Sequence, residues 1–236
     1  MAGSRGPRDP DLRRQWSQAH GGAAPDSSVW VSGYLRLVHA AARPLARAGV
    51  PPDAVTLAGL VLAALVPVVV LPGAGWPLVA TLVLVVSSLV DGLDGTVARL
   101  AGAESAWGRV IDPLADRLSE LCFLLAVWLV GAPGWLCAVV GALGLLHESV
   151  RATAQVAGMS GVGAITVGER PWRVIVAAFT LGTVGLLWCA DRVLSTSYAG
   201  HAAGVATGGA AIGAVLAAAG LVHLLLVVRR ELARPR

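Results

Sequence analysis

Lysine is absent from this 236-residue chain: all 18 basic residues are arginine. With the excess of alanine, glycine and valine, that usage fits a GC-rich bacterial genome. Charge of either sign is scarce. Only 14% of residues are charged against 56% hydrophobic, and mean hydropathy is +0.72. These values exclude an ordinary soluble domain and imply an integral membrane protein. Cysteine is limited to Cys122, Cys137 and Cys189, far apart and in or beside apolar stretches. With no CxxC pair, they exclude a disulfide framework or zinc site and read as small hydrophobes. No apolar run follows the early arginines of "MAGSRGPRDPDLRRQWSQAHGGAAPDS". Residues 1–27 are therefore expected to be a disordered cytoplasmic tail and not a signal peptide. The net charge of +4 and pI of about 9.6 are read as arginine flanks on anionic lipid, with no nucleic-acid partner.

What is present is organised by apolar runs. "SVWVSGYLRLVHAAARPLARAGV" repeats its apolar residues at helical spacing, while Arg36, Arg43 and Arg47 give it a basic face. Residues 28–49 are expected to form an amphipathic helix lying in the membrane interface. Pro51, Pro52 and Asp53 then break the chain and start a new helix. About six spanning candidates follow, near 54–72, 77–99, 109–130, 134–157, 171–190 and 204–228, each close to the roughly 20 residues needed to cross. The expected fold is thus all-α: about six transmembrane helices over 50–230, preceded by an interfacial helix and followed by a short cytoplasmic tail at 231–236. Glycine and alanine in the last span favour close helix packing. Arginine is absent from "PGAGW" and "GAPG", is represented after the fifth span by Arg192 alone, and is concentrated in the N-terminal region, around 99–109 and 151–173, and in the tail. By the positive-inside rule both termini are cytoplasmic. Several of the eight tryptophans, Trp76 and Trp135 among them, stand near span ends as interfacial anchors.

The informative residues are acids where apolar runs end. Asp91 and Asp94 close the second span, and Asp112 and Asp116 open the third. A carboxylate at a bilayer edge is costly unless paired, hydrated or metal-bound. At about 100° per residue, Asp91, Asp94, Gly95, Ala98 and Arg99 share one helix face. Gly108, Asp112 and Asp116, each four apart, share a stripe on the next. The short link "LAGAESAW" makes these two helices antiparallel neighbours, with the acid pairs facing across a cleft open to the cytoplasm. Four like charges need compensation. All-oxygen ligands suit Mg²⁺ or Mn²⁺, and four carboxylates can bridge two ions about 3.5–4 Å apart, an arrangement suited to displacement at phosphorus. Gly95, Ala98 and Gly108 are small where a phosphate would approach backbone, and Arg99 has the fork to bind one.

The pattern Asp91-x2-Asp94-Gly95-x2-Ala98-Arg99-x8-Gly108-x3-Asp112-x3-Asp116 fixes eight residue types at set spacings and resembles the full signature of the CDP-alcohol phosphotransferases. The interfacial helix, "VPPDAVT" and the six-span layout extend the resemblance over about 30–230. It implies transfer of a phosphatidyl group from CDP-diacylglycerol to an alcohol, with CMP leaving, in a bacterial plasma membrane with the site on the cytoplasmic side. It also implies that Asp91, Asp94, Asp112 and Asp116 hold two Mg²⁺ or Mn²⁺ ions, and that Asp116 deprotonates the incoming hydroxyl. Gly95, Ala98, Arg99, Ser105, Gly108 and the stretch Pro51, Pro52, Asp53 and Ala54 would contact the CDP portion. A homodimer is expected.

Acceptor choice should be written in basic residues from later helices: Arg151, Arg170 and Arg173. "ERPWR" is similar to a stretch of the actinobacterial phosphatidylinositol phosphate synthases, which points to inositol phosphate. Those synthases carry a second basic residue where Thr153 stands here, so glycerol 3-phosphate remains the alternative acceptor. Glu120 continues the Asp112–Asp116 stripe, either as an outer partner of the acids or as a structural acid. His147 and Glu148 read as polar lining near the cleft. A cation transporter would also place acids in a membrane, but with midplane sites and repeated halves. Here the acids cluster at one face and no internal repeat is visible.

Overall fold

The computed structural model describes residues 29–159, 170–195 and 197–233. The tail expected over 1–27, Glu169 of "ERPWR" and residues 234–236 lie outside them. The regular elements among the described residues are all helices: α1 Val29–Arg47, α2 Pro52–Val70, α3 Trp76–Ala101, α4 Gly108–Leu129, α5 Gly134–Val156, α6 Arg170–Leu194 and α7 Ala202–Leu232, with a 3₁₀ turn Tyr198–His201 before α7. Five segments are long and apolar enough to cross a membrane: α2, α3, α5, α6 and the 3₁₀ turn with α7. The sixth expected span, α4, has 22 residues, but Arg109, Asp112, Asp116, Arg117 and Glu120 crowd the stretch up to Glu120. The last helix runs well past the expected 204–228. Its 31 residues extend about 46 Å at 1.5 Å each, because a helix once formed continues through Arg229, Arg230 and Glu231 without needing apolar side chains.

Local chemistry sets the ends. Pro52 opens α2 with Asp53 in its first turn, where a missing N–H costs nothing and a carboxylate meets the positive helix end. Gly102, at φ 62°, closes α3 in the left-handed conformation, and the Ala103 N–H bonds back to the Ala98 carbonyl at 2.9 Å. This C-terminal motif stops α3 two residues after Arg99 and turns the chain toward α4.

One core cluster joins α2 to α7, with Ala63 and Val66, Leu84, Phe123, Leu136, Leu181 and Ala206 among its members. Many other large apolar side chains, such as Leu82, Trp128, Phe179 and Val215, face outward, as lipid-facing surfaces must. In lipid, association rests on close packing more than on the hydrophobic effect. Accordingly, Gly209 of α7 lies so near α6 that a Cβ there would fall 2.0 Å from Thr180 Oγ1. A second cluster, Ala42, Val55 and Val97, seats α1 on α2 and α3, while Arg36, Arg43 and Arg47 are exposed. Exposed Trp76, Trp128 and Trp135 gather at helix ends remote from the aspartates, and Trp107 and Trp172 at helix starts near them.

Direct packing of α3 on α4 is not what the structure shows. The most extensive contact of α4 is with α2, which is also the main partner of α3. A small residue on α2 permits its close approach to α3: a Cβ on Gly59 would already stand 3.4 Å from the Asp91 backbone nitrogen. The Ser87 hydroxyl donates to the Gly59 carbonyl at 2.8 Å. The two helices run antiparallel through this crossing, Gly59 beside Asp91 and Thr56 beside Asp94.

Candidate functional site

The site lies where α2, α4 and α6 begin and α3 ends. A cavity of about 350 Å³ opens there. Its walls are Pro52, Asp53 and Thr56 from α2; Asp94, Gly95, Ala98 and Arg99 from α3; Ala103, Glu104 and Ser105 from the link; and Gly108, Arg109 and Asp112 from α4. A Cβ on Gly95 would meet nothing within 4 Å, so the backbone there faces open space. The Gly108 N–H donates to Ser105 Oγ at 2.8 Å, which holds the link and leaves the Ser105 O–H to donate elsewhere. Arg99 is exposed and donates through Nη2 to Thr96 Oγ1 at 3.2 Å. Pro51 and Ala54 do not line the cavity. The Pro51 carbonyl accepts the Ala54 N–H at 3.0 Å, which commits both to starting α2.

Beside the cavity, Asp91, Asp112 and Asp116 each present an oxygen within 4.8 Å of the others. Three anionic oxygens so placed fit a hard divalent cation. The fourth acid stands apart from that triplet. Asp94 Oδ2 accepts from Thr56 Oγ1 at 2.6 Å and Oδ1 from the Gly95 N–H at 2.6 Å. Roughly −60° round the helix from Asp91, it points to α2, where the threonine fixes it at the cavity wall.

Arginines close the deep side. Arg170 Nη1 donates to Asp91 Oδ2 and lies 2.8 Å from Asp116 Oδ1. One turn further in, Glu120 pairs with Arg117 at 2.7 Å and Arg173 at 3.0 Å. Glu148 of α5 lies 3.5 Å from Arg117 and 3.7 Å from Arg173. His147 is buried next to it, and Arg151 adds its charge one turn on. Thr153 turns its hydroxyl back to the Ser149 carbonyl at 2.8 Å. Asp116 and Asp91 therefore stand between an open polar cavity and a cluster of guanidinium groups.

Two participants escape a reading of the sequence: Thr56 and Arg117. Thr56 looks like an ordinary polar residue in an apolar run. Its signal is position, one turn into α2 after the double proline. Arg117 follows Asp116 directly and is three residues before Glu120, a spacing that pairs side chains on one helix face.

A multi-pass membrane protein with a carboxylate-lined polar site at one end of its helices is the class that fold and site define. The family profile for CDP-alcohol phosphatidyltransferase matches residues 50–230. An archaetidylinositol phosphate synthase of Pyrococcus horikoshii is 35% identical over 100 residues, 42% of this chain and 53% of that protein. A phosphatidylinositol phosphate synthase of Cutibacterium acnes is 28% identical over 172 residues, 67% of this chain and 82% of its own length. The phosphatidylinositol phosphate synthase of Mycobacterium tuberculosis shares the fold in two crystal structures. One, with CDP-DAG bound, has TM-score 0.65 and 23% identity, over 85% of this chain and 98% of that one. The other holds manganese and citrate and has TM-score 0.64 and 23% identity, over 84% and 93%. This chain belongs to the CDP-alcohol phosphatidyltransferase family, and it is accordingly a membrane transferase of phospholipid synthesis.

Proposed function

We propose that the chain transfers the phosphatidyl group of CDP-diacylglycerol to a hydroxyl of a phosphorylated polyol, inositol phosphate, with release of CMP. The observation that carries this reading is the position of the acid triplet between the cavity and the arginines. The CDP portion would occupy the cavity against Gly95, Ala98, Arg99, Ser105, Gly108, Pro52 and Asp53. Pro51 and Ala54 would shape it from behind. Asp91, Asp112 and Asp116, with Asp94 held at the wall by Thr56, would bind two Mg²⁺ or Mn²⁺ ions. Bound there, the ions neutralise the pyrophosphate and leaving CMP. Arg151, Arg170 and Arg173 would receive the acceptor phosphate on the other side of Asp116. The synthases of C. acnes and M. tuberculosis, named for phosphatidylinositol phosphate, support the acceptor class.

A second acceptor, glycerol 3-phosphate, is favoured by one observation: the position where a second base would be expected carries Thr153, whose hydroxyl is occupied by its own helix. Mass spectrometry of products from purified protein, CDP-diacylglycerol and a panel of alcohols separates the two. Arg173→Ala removes charge-assisted hydrogen bonds worth about 1.5–3 kcal/mol, so the KM for the phosphorylated acceptor rises by roughly one to two orders of magnitude. The KM for CDP-diacylglycerol stays nearly constant. Acceptor kinetics untouched by this change would refute the pocket.

The arginine distribution supports both termini on the cytoplasmic side with α1 in the membrane interface; a bacterial plasma membrane and a homodimer are what the family resemblance implies. A reporter fused after Arg236 is expected in the cytoplasm. A periplasmic reporter would separate the site from cytoplasmic acceptors and overturn the orientation.

A further inference from the structure

Glu120 has no role in the transfer described above, yet three guanidinium groups converge on it. It lies one turn beyond Asp116 on α4 and is 8% exposed, at a depth where an uncompensated carboxylate is costly. Its Oε1 accepts from Arg117 Nη1 at 2.7 Å and from Arg173 Nη2 at 3.1 Å, and Oε2 lies 3.0 Å from Arg173 Nε. Arg173 is thus tied to Glu120 by one hydrogen bond and a second close charge contact, which together set where its guanidinium plane stands. That plane lies against Gly144 of α5, where an added Cβ would stand 3.6 Å from Arg173 Cζ and from Glu120 Oε2. Arg170, one turn earlier on α6, has its Nε 3.9 Å from the same carboxylate while its Nη1 serves Asp91 and Asp116. A tie needed only to join α4 to α6 could be made by apolar residues without the cost of burying ions. Here the buried acid stands where the arginines meet, next to the reacting acids.

We infer that Glu120 is a positioning residue for the acceptor: it orients Arg173, and with Arg117 balances the local charge, so that the arginines receive the acceptor phosphate in one orientation. Glu120 itself does not touch the substrate. This rests on the reading that the acceptor is phosphorylated.

Glu120→Gln keeps the shape of the side chain and removes its charge. The expected result is an acceptor KM raised about tenfold or more. The KM for CDP-diacylglycerol stays near wild type. Gly144→Val crowds the guanidinium plane while leaving every charge in place, and it is expected to reproduce that selective rise. Glu120→Asp, with the charge one methylene shorter, falls between wild type and Glu120→Gln. An unchanged acceptor KM in both Glu120→Gln and Gly144→Val overturns the inference. So does a parallel rise in both KM values that follows a lowered unfolding temperature, since that is the mark of a purely structural tie. Failure of the underlying reading is visible in wild type alone: equal use of inositol and inositol phosphate removes the phosphate pocket and the role of Glu120 with it.

Discussion

Excess EDTA is expected to abolish CMP release by the purified protein while leaving its helical circular dichroism largely intact. Asp91, Asp112 and Asp116 bring three carboxylates within 4.8 Å of one another, and among the described contacts a single guanidinium, Arg170, bridges two of them. A pyrophosphate approaching such a surface meets like charge at short range, in surroundings less screening than water. Compensation by divalent cations is therefore expected to be a condition for binding the donor as well as for the chemistry. The fold does not depend on it, because the cluster joining α2 to α7 is apolar. Two readouts check this: turnover, and calorimetric binding of CMP or a short-chain CDP-lipid. Both vanish on chelation and return with Mg²⁺ or Mn²⁺. Full turnover in excess EDTA would sink the metal-dependent reading.

Asp116→Asn is expected to lower turnover by about 10²–10⁴-fold, the range typical of losing a general base, while donor binding with metal persists in part. Asp116 belongs to the acid triplet and also lies 2.8 Å from Arg170 on the acceptor side. Its side chain is 17% exposed against 9% for Asp91. We propose that it takes the proton of a hydroxyl arriving beside the arginines. Asparagine keeps the size and an oxygen but cannot accept that proton. Asp91→Asn has a different expected signature. Asp91 contributes a carboxylate oxygen to the same acid triplet, so its loss is expected to weaken metal and nucleotide binding together. The comparison is made by measuring kcat and donor KM for both variants. An Asp116→Asn protein working within a few-fold of wild type would assign the base elsewhere.

The helical, membrane-embedded architecture was legible in composition and apolar periodicity, because both depend on each residue's own partitioning and on spacing along one helix. The same holds for the acids. Their fourfold and threefold spacings put Asp112 with Asp116, and Asp91 with Asp94, on shared faces before any neighbour is known. Four linked charges and fixed small residues also form a pattern specific enough to mark the family. What spacing cannot supply is the partner across the gap, since that depends on which helices touch and on how each is rotated. A short link between α3 and α4 suggests that they pack together, yet α2 is the main partner of both and meets α3 at the Gly59–Asp91 crossing. That contact brings Thr56 onto Asp94 and leaves a triplet of acids where spacing alone suggests four. Likewise Glu120 and Arg173, 53 residues apart, meet only because α4 and α6 start side by side at the same end of the molecule. One-dimensional periodicity determined which residues share a face; three-dimensional packing decided which faces meet, because hydrogen bonds and ion pairs act over a few ångströms and chain distance does not measure them.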